Sequence, residues 1–245
     1  MNKLGLLGRN ISYSFSRTYF KEKFEKEGIE NTTYENFDID SIEKLPAIIE
    51  NTKNLKGLNV TIPYKQEVMP FLDKINKKAK EIGAVNTIKI TKKGKLVGYN
   101  TDCYGFKKSL QPYLKSSHKN ALILGTGGAS KAVAYSLKQL GINYKYVSRN
   151  LTEGIAYTYQ NLTNSVIKEH TIIINCTPLG TFPNIENCPE IPYDAITENH
   201  ILFDLIYNPA ETKFLSFGKQ KRATILNGLN MLVLQAEKAW SIWNS

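Results

Sequence analysis

The chain has 245 residues, 42% of them hydrophobic, enough for one large domain or two small ones around a sizeable buried core. No apolar run of about eighteen residues and no charged-then-apolar leader is visible, which argues against a membrane span or a secretory signal and for a cytoplasmic protein. The formal charge of +10 raises a polyanion partner, whereas Cys103, Cys176 and Cys188, odd in number and without CxxC pairing, and the scattered His118, His170 and His200 argue against a disulfide framework or any metal site.

"KLGLLG" reads as a short apolar strand, and "SRTYFKEKFEKEG" as an amphipathic helix with Tyr19, Phe20 and Phe24 at helical spacing and Gly28 as its stop. "TTYENFDI" reads as a strand and "SIEKLPAIIENTK" as a helix capped by Ser41. In "LNVTIPYKQEV", Leu58 to Ile62 form a short buried strand that Pro63 stops, leaving Lys65 near the strand's carboxyl end. A helix is expected from about Leu72 to Ile82, followed by a hairpin in "AVNTIKITKKGKLVGYNTD" with Lys92 to Lys95 at its tip. Many of the lysines lie between Lys74 and Lys95 with no interleaved aromatics and no nucleic-acid motif, so this charge reads as a solvated face that also attracts anionic small molecules.

Asp102 to Leu114 reads as a helix, and from Asn120 a regular βαβ rhythm begins: "NALILG" as strand, "GASKAVAYSLKQLG" as helix closed by Gly141, "NYKYVSRN" as strand. Further strands are expected at "TIIINC" and "ILFDLIY", and after Gly228 a long apolar-faced helix ends the chain. This alternation argues a parallel, doubly wound sheet, joined to the first unit by helical segments. Gly125, Gly127 and Gly128 of "LILGTGGASKA" fall between a strand and a helix, the context in which a backbone approaches a pyrophosphate and the helix N-terminus receives it. Where an NAD site would place an acid at the end of the second strand, the chain has "YVSRN". Arg149 pairs with a 2′-phosphate, and Ser148 and Asn150 add donors, so NADP is favoured over NAD.

"NVTIPYK", "GAVNT", "GYNTDCYG", "LGTGGASKA", "NCTPLG", "FDLIYNPAETKFL" and "NGLNMLVLQAEKAW" follow one another in the order and at the spacings of the shikimate dehydrogenase family, which the chain resembles from Gly5 to Trp243. The resemblance implies an α/β protein with an N-terminal α/β substrate domain over residues 1–101 and a Rossmann-like NADP-binding domain over 102–226. The C-terminal helix, 227–245, returns to the first domain so that Gln235 reaches the substrate. It implies reduction of 3-dehydroshikimate to shikimate with NADPH on the route to chorismate and aromatic amino acids, by a monomer or homodimer with no nucleic-acid or membrane partner. Carried over to matching positions, Lys65 and Asp102 are the catalytic pair. Ser14 and Ser16 hold the substrate carboxylate, and Thr61, Asn86, Tyr207 and Gln235 contact its hydroxyls or ring. Gly125, Gly127, Gly128, Ala129, Ser148, Arg149 and Asn150 form the NADP cradle. Thr177 and Leu205 make further cofactor contacts, and Gly228 and Met231 lie on its nicotinamide side.

The chemistry of those residue types agrees. Hydride delivery to a ketone leaves negative charge on oxygen, which an adjacent ammonium stabilises and protonates, and a carboxylate orients that ammonium and accepts a substrate hydroxyl. The chain departs from the family at Tyr13 and Phe20, where histidines are usual, and at Arg17, in place of a proline, which offers an extra carboxylate contact. Thr181 stands where methionine is frequent, and Glu153 is found near the place of a second basic residue, which loosens the preference for NADP. Two alternatives follow: a broader quinate/shikimate dehydrogenase, and a non-catalytic NADP- or nucleic-acid-binding regulator.

Overall fold

In the computed structural model residues 1–12 and 14–245 are described, so the substitution at Tyr13 lies outside the described residues. The chain divides into two compact units, Met1–Thr101 with Ala236–Ser245, and Asp102–Gln235.

In the first unit, β1 (Asn2–Gly8), α1 (Phe15–Glu27), β2 (Thr32–Asp38), α2 (Leu45–Asn51), β3 (Leu55–Val60), β4 (Lys74–Ile75), α3 (Lys77–Ile82), β5 (Thr87–Ile90) and β6 (Leu96–Tyr99) build a mixed sheet in the order β2-β1-β3-β5-β6-β4. β1 runs parallel to β2 and β3, while β5 is antiparallel to both β3 and β6. Alternation along β1 sends Leu4 and Leu6 into a cluster with Phe20, Phe24, Ala239 and Trp243, and Leu7 into another with Leu45, Leu58 and Ile88. α1 stops where expected: Gly28 is left-handed at φ 66° and its N–H bonds back to Glu25 O.

Three expectations need correction. The strand before Lys65 runs Leu55–Val60, earlier than 58–62, because the chain turns at Thr61 toward Pro63. The helix expected from Leu72 begins only at Lys77, capped by Asn76 Oδ1 on Lys78 N at 3.1 Å, since Lys74–Ile75 is held as a short edge strand on β6. Ser41 makes no backbone cap: its hydroxyl bonds to the Glu43 carboxylate, and the segment opens as a 3-10 turn over Ile42–Lys44.

The second unit contains α4 (Asp102–Leu110), β7 (Asn120–Leu124), α5 (Gly128–Gln139), β8 (Asn143–Ser148), β9 (Ile155–Thr158), α6 (Asn164–Glu169), β10 (Ile172–Asn175), β11 (Ile201–Asp204), α7 (Lys213–Gln220), β12 (Thr224–Leu226) and the start of α8 (Leu229–Trp243). Its strands form an all-parallel sheet, β12-β11-β10-β7-β8-β9, with the order reversing between β7 and β10. Both faces are buried, which is why β7 and β10 read as unbroken apolar runs. Ile123, Ile172 and Ile174 meet Phe106, Leu137 and Met231 on one side, and Leu122, Leu124 and Ile173 meet Ile167 and Phe214 on the other. α8 packs on α4 closely enough that a Cβ on Gly105 would lie 2.5 Å from Met231 O.

Candidate active site

Lys65 is half-buried on the turn that follows β3. The turn is pinned on both sides of it. Tyr64 is fully buried and its hydroxyl donates to Ile39 O at 2.8 Å, while Lys65 O accepts from Val85 N at 2.7 Å. The bond to Val85 ties the lysine's backbone to the start of "VNT". There Asn86 and Thr87 join Asn59 and Thr101 in one buried hydrogen-bonded group. Thr101 N donates to Asn86 Oδ1 at 2.7 Å, and Asn86 Nδ2 donates to Thr101 Oγ1 at 3.0 Å. Asp102 follows directly, buried in the first turn of α4, where the helix dipole favours a carboxylate. Three segments of the first unit thereby converge: "NVTIPYK", "GAVNT" and "YNT".

Ser14 is the N-cap of α1, its Oγ accepting from Ser16 N at 3.3 Å. Ser16 and Thr61 are half-buried, and Thr61 N bonds to Leu7 O at 2.9 Å. Of the departures, Phe20 is fully buried and Arg17 is exposed, lining a groove of about 560 Å³ with Lys21, Phe24, Tyr34 and Glu35.

In the second unit the glycine turn follows β7 at the point where the strand order reverses, the usual ligand position of an open parallel sheet. Gly125 is left-handed at φ 96°, and a Cβ there would sit 3.0 Å from Thr177 Cγ2, so only glycine suits it. Around Gly127 a Cβ would meet nothing within 4 Å, and Gly127 caps α5 without a side chain, which leaves the helix N–H groups for an anion. Gly128 and Ala129 open that helix, and Ser130, buried beneath them, donates to Gly127 O at 2.7 Å. Ser148 ends β8, with Arg149 and Asn150 exposed beyond it. An open glycine cradle, an uncapped helix start and an exposed arginine together suit a dinucleotide with a 2′-phosphate.

Thr177 and Leu205 leave the sheet on neighbouring strands whose ends are locked by residues the sequence reading did not single out. Asn175 Oδ1 accepts from Thr177 Oγ1 at 2.7 Å, Asn175 Nδ2 donates to Asp204 Oδ1 at 3.1 Å, and Thr212 Oγ1 donates to Asp204 Oδ2 at 2.6 Å. Burial pushes the Asp204 carboxyl up to about 6 against the hydrogen bonds of Thr212, Ile206 N and Asn175. Burial, with the Asp204 charge adding to it, also pushes the Cys176 thiol up, which keeps it protonated. The signal for these positions was present in "NCTPLG" and "FDLIYNPAET", where a polar residue closes each apolar run.

Gly228 faces Leu205: a Cβ there would lie 2.1 Å from Leu205 O. Met231 is buried in the core beside Phe106 rather than on a surface, Gln235 is buried one turn further along α8, and Tyr207 is half-buried on the loop after β11. Among the described residues no group of three or more His, Cys, Asp or Glu side chains is placed to hold a metal ion. No helix among them is long and apolar enough to cross a membrane.

A mixed substrate-type sheet followed by a parallel sheet with a glycine turn at its switch point defines a two-domain, dinucleotide-dependent oxidoreductase. Residues 6–88 match the family model of the shikimate dehydrogenase substrate binding domain. A shikimate dehydrogenase (NADP(+)) of Clostridium beijerinckii is 41% identical over 99% of this chain and 92% of its own. The crystal structure of shikimate dehydrogenase 1 from Peptoclostridium difficile matches with a TM-score of 0.84 and 40% identity over 100% of this chain and 92% of its own. The Thermus thermophilus shikimate 5-dehydrogenase, solved with NADP(H) and shikimate, matches with a TM-score of 0.87 and 29% identity over 99% and 93%. The chain belongs to the shikimate dehydrogenase family.

Proposed function

We propose that the chain interconverts 3-dehydroshikimate and shikimate with NADP, Lys65 acting as proton donor and Asp102 as the carboxylate that accepts a substrate hydroxyl. The observation that carries this is the set of bonds joining Lys65 O to Val85 and Asn86 to Thr101. They hold the backbone of the lysine and the residue before the aspartate in one buried framework. Residues 1–101 serve the substrate, 102–226 the cofactor, and 227–245 return to the first part of the chain.

Bound NADPH supplies the hydride. The chain's own residues do the rest. The Lys65 ammonium stabilises the charge that develops on the ketone oxygen and donates the proton; run backward, its neutral amine takes that proton. Ser14 and Ser16 offer hydroxyls to the substrate carboxylate, and Thr61, Asn86, Tyr207 and Gln235 recognise its hydroxyls and ring. The 2′-phosphate goes to Arg149, Ser148 and Asn150. The pyrophosphate goes to the turn from Gly125 to Ala129, with Thr177, Leu205, Gly228 and Met231 completing the cofactor side.

The test is reduced-nicotinamide absorbance with shikimate and NADP, with quinate and NAD in parallel. Lys65→Ala should lower kcat about a hundredfold or more while KM changes little, because the proton is needed only in the transition state. Unchanged turnover in that variant would remove Lys65 from the mechanism.

A further inference from the structure

Tyr34 stands in the middle of β2, only 7% exposed, with its ring stacked on Phe20 at 4.5 Å between centroids. Its one polar atom donates to Asn59 Oδ1 at 2.8 Å. Burial pushes this hydroxyl up, partly offset by the Ser16 side chain, so it remains a neutral donor.

A carboxamide has nearly the same shape at both ends, so its partners decide which end is oxygen. The far end of the Asn59 amide meets Asn86 O at 3.4 Å, which can only accept, and Thr87 Oγ1 at 3.3 Å. The nitrogen therefore points there and the oxygen toward Tyr34. Thr87, accepting from Asn59, turns its own proton to Asn86 Oδ1 at 3.1 Å. Asn86 Oδ1 also receives Thr101 N, so its amide too has a single orientation, with Nδ2 toward Thr101 Oγ1. Every member of this relay is buried, and a reversed amide would set carbonyl against carbonyl.

We infer that Tyr34 is a positioning residue: by filling Asn59 Oδ1, its hydroxyl braces a relay through Asn59 and Thr87 that holds the Asn86 amide in place for the substrate. This rests on the reading that Asn86 binds substrate. Tyr34 itself touches neither substrate nor cofactor in this account. Without its proton, Asn59 Oδ1 becomes a buried acceptor with its donor removed, and the brace that Asn59 gives to Thr87 and Asn86 loosens.

Tyr34→Phe keeps the ring and deletes the hydroxyl. The expected result is a KM for shikimate raised about tenfold, with kcat within about twofold and KM for NADP unchanged. Thr87→Val should reproduce the effect and Thr87→Ser should restore the parent value, a rescue that loss of packing would not give; should Tyr34→Phe fail to fold, this pair decides. In ¹⁵N-labelled protein the Asn86 side-chain amide signals should also shift in Tyr34→Phe. A folded Tyr34→Phe protein with the parental KM, or with unmoved Asn86 amide signals, overturns the inference. A parent protein that does not turn over shikimate overturns the proposed function instead, and the amide signals then judge the relay without it.

Discussion

Arg149 is exposed just beyond the end of β8, so its contribution to cofactor choice can be read separately from folding. Arg149→Ala should lower kcat/KM with NADP by about tenfold or more while leaving that with NAD within about twofold, because a guanidinium matches a phosphate and has no such partner on a ribose hydroxyl. Steady-state assays with both nucleotides decide it. Asp204 poses the opposite case, a buried acid whose charge is costly. Its carboxyl is raised to about 6, so between about 4 and 6 the folded protein binds a proton that the unfolded chain has released. Its contribution to stability is therefore greatest below about pH 4 and is lost as pH rises through 6. Asp204→Asn removes the ionisation and keeps an acceptor for Ile206 N and Asn175. Relative to the parent, the variant should gain on the order of 3 kcal/mol between pH 4 and pH 7, seen as a Tm difference that moves in its favour as pH rises.

Among the elements, the end of α8 is fitted closely to β3. The Trp243 indole donates to Ile88 O at 2.9 Å and lies so close to β3 that a Cβ on Gly57 would fall 2.2 Å from its Nε1. Lys23 and Tyr19 of α1 both bind the Glu237 carboxylate, with Lys23 Nζ at 2.9 Å, tying the same stretch of α8 to α1. Gly57→Ala should cost about 2–3 kcal/mol, measured by denaturant unfolding, since the methyl must displace a wedged indole rather than a flexible side chain. Elements with a strong period and clear punctuation were legible in sequence: α1 with Gly28, β7 and α5 with the glycine turn, the hairpin of β5 and β6. β9, α6, α7 and β12 were not, because each is short and its apolar residues find their period only against neighbours supplied by distant sequence. β4 was missed for the related reason that two residues become a strand only through the pairing of Lys74 and Ile75 with β6.

At the scale of the whole molecule, the residues of the candidate site could be named from sequence because they sit in motifs with fixed spacing. What could not be read was the hydrogen bonding behind them. Asn59, Thr87 and Thr101 are unremarkable letters within "NVT", "VNT" and "NTD", and only the meeting of three segments shows that they fix Asn86. The division of the chain carries one more implication. Ala236, Ala239 and Trp243 complete the cluster around Leu4, Leu6, Phe20 and Tyr34, so the first unit is built from the beginning and the end of the sequence, while the second is continuous from Asp102 to Gln235. During synthesis on a ribosome the second unit has all its residues before the first does, although it begins a hundred residues later. Ala236–Ser245 therefore reaches the cluster around Phe20 and Tyr34 only after every residue of the second unit has been made, so the first part of the chain to be translated is the later one to be complete.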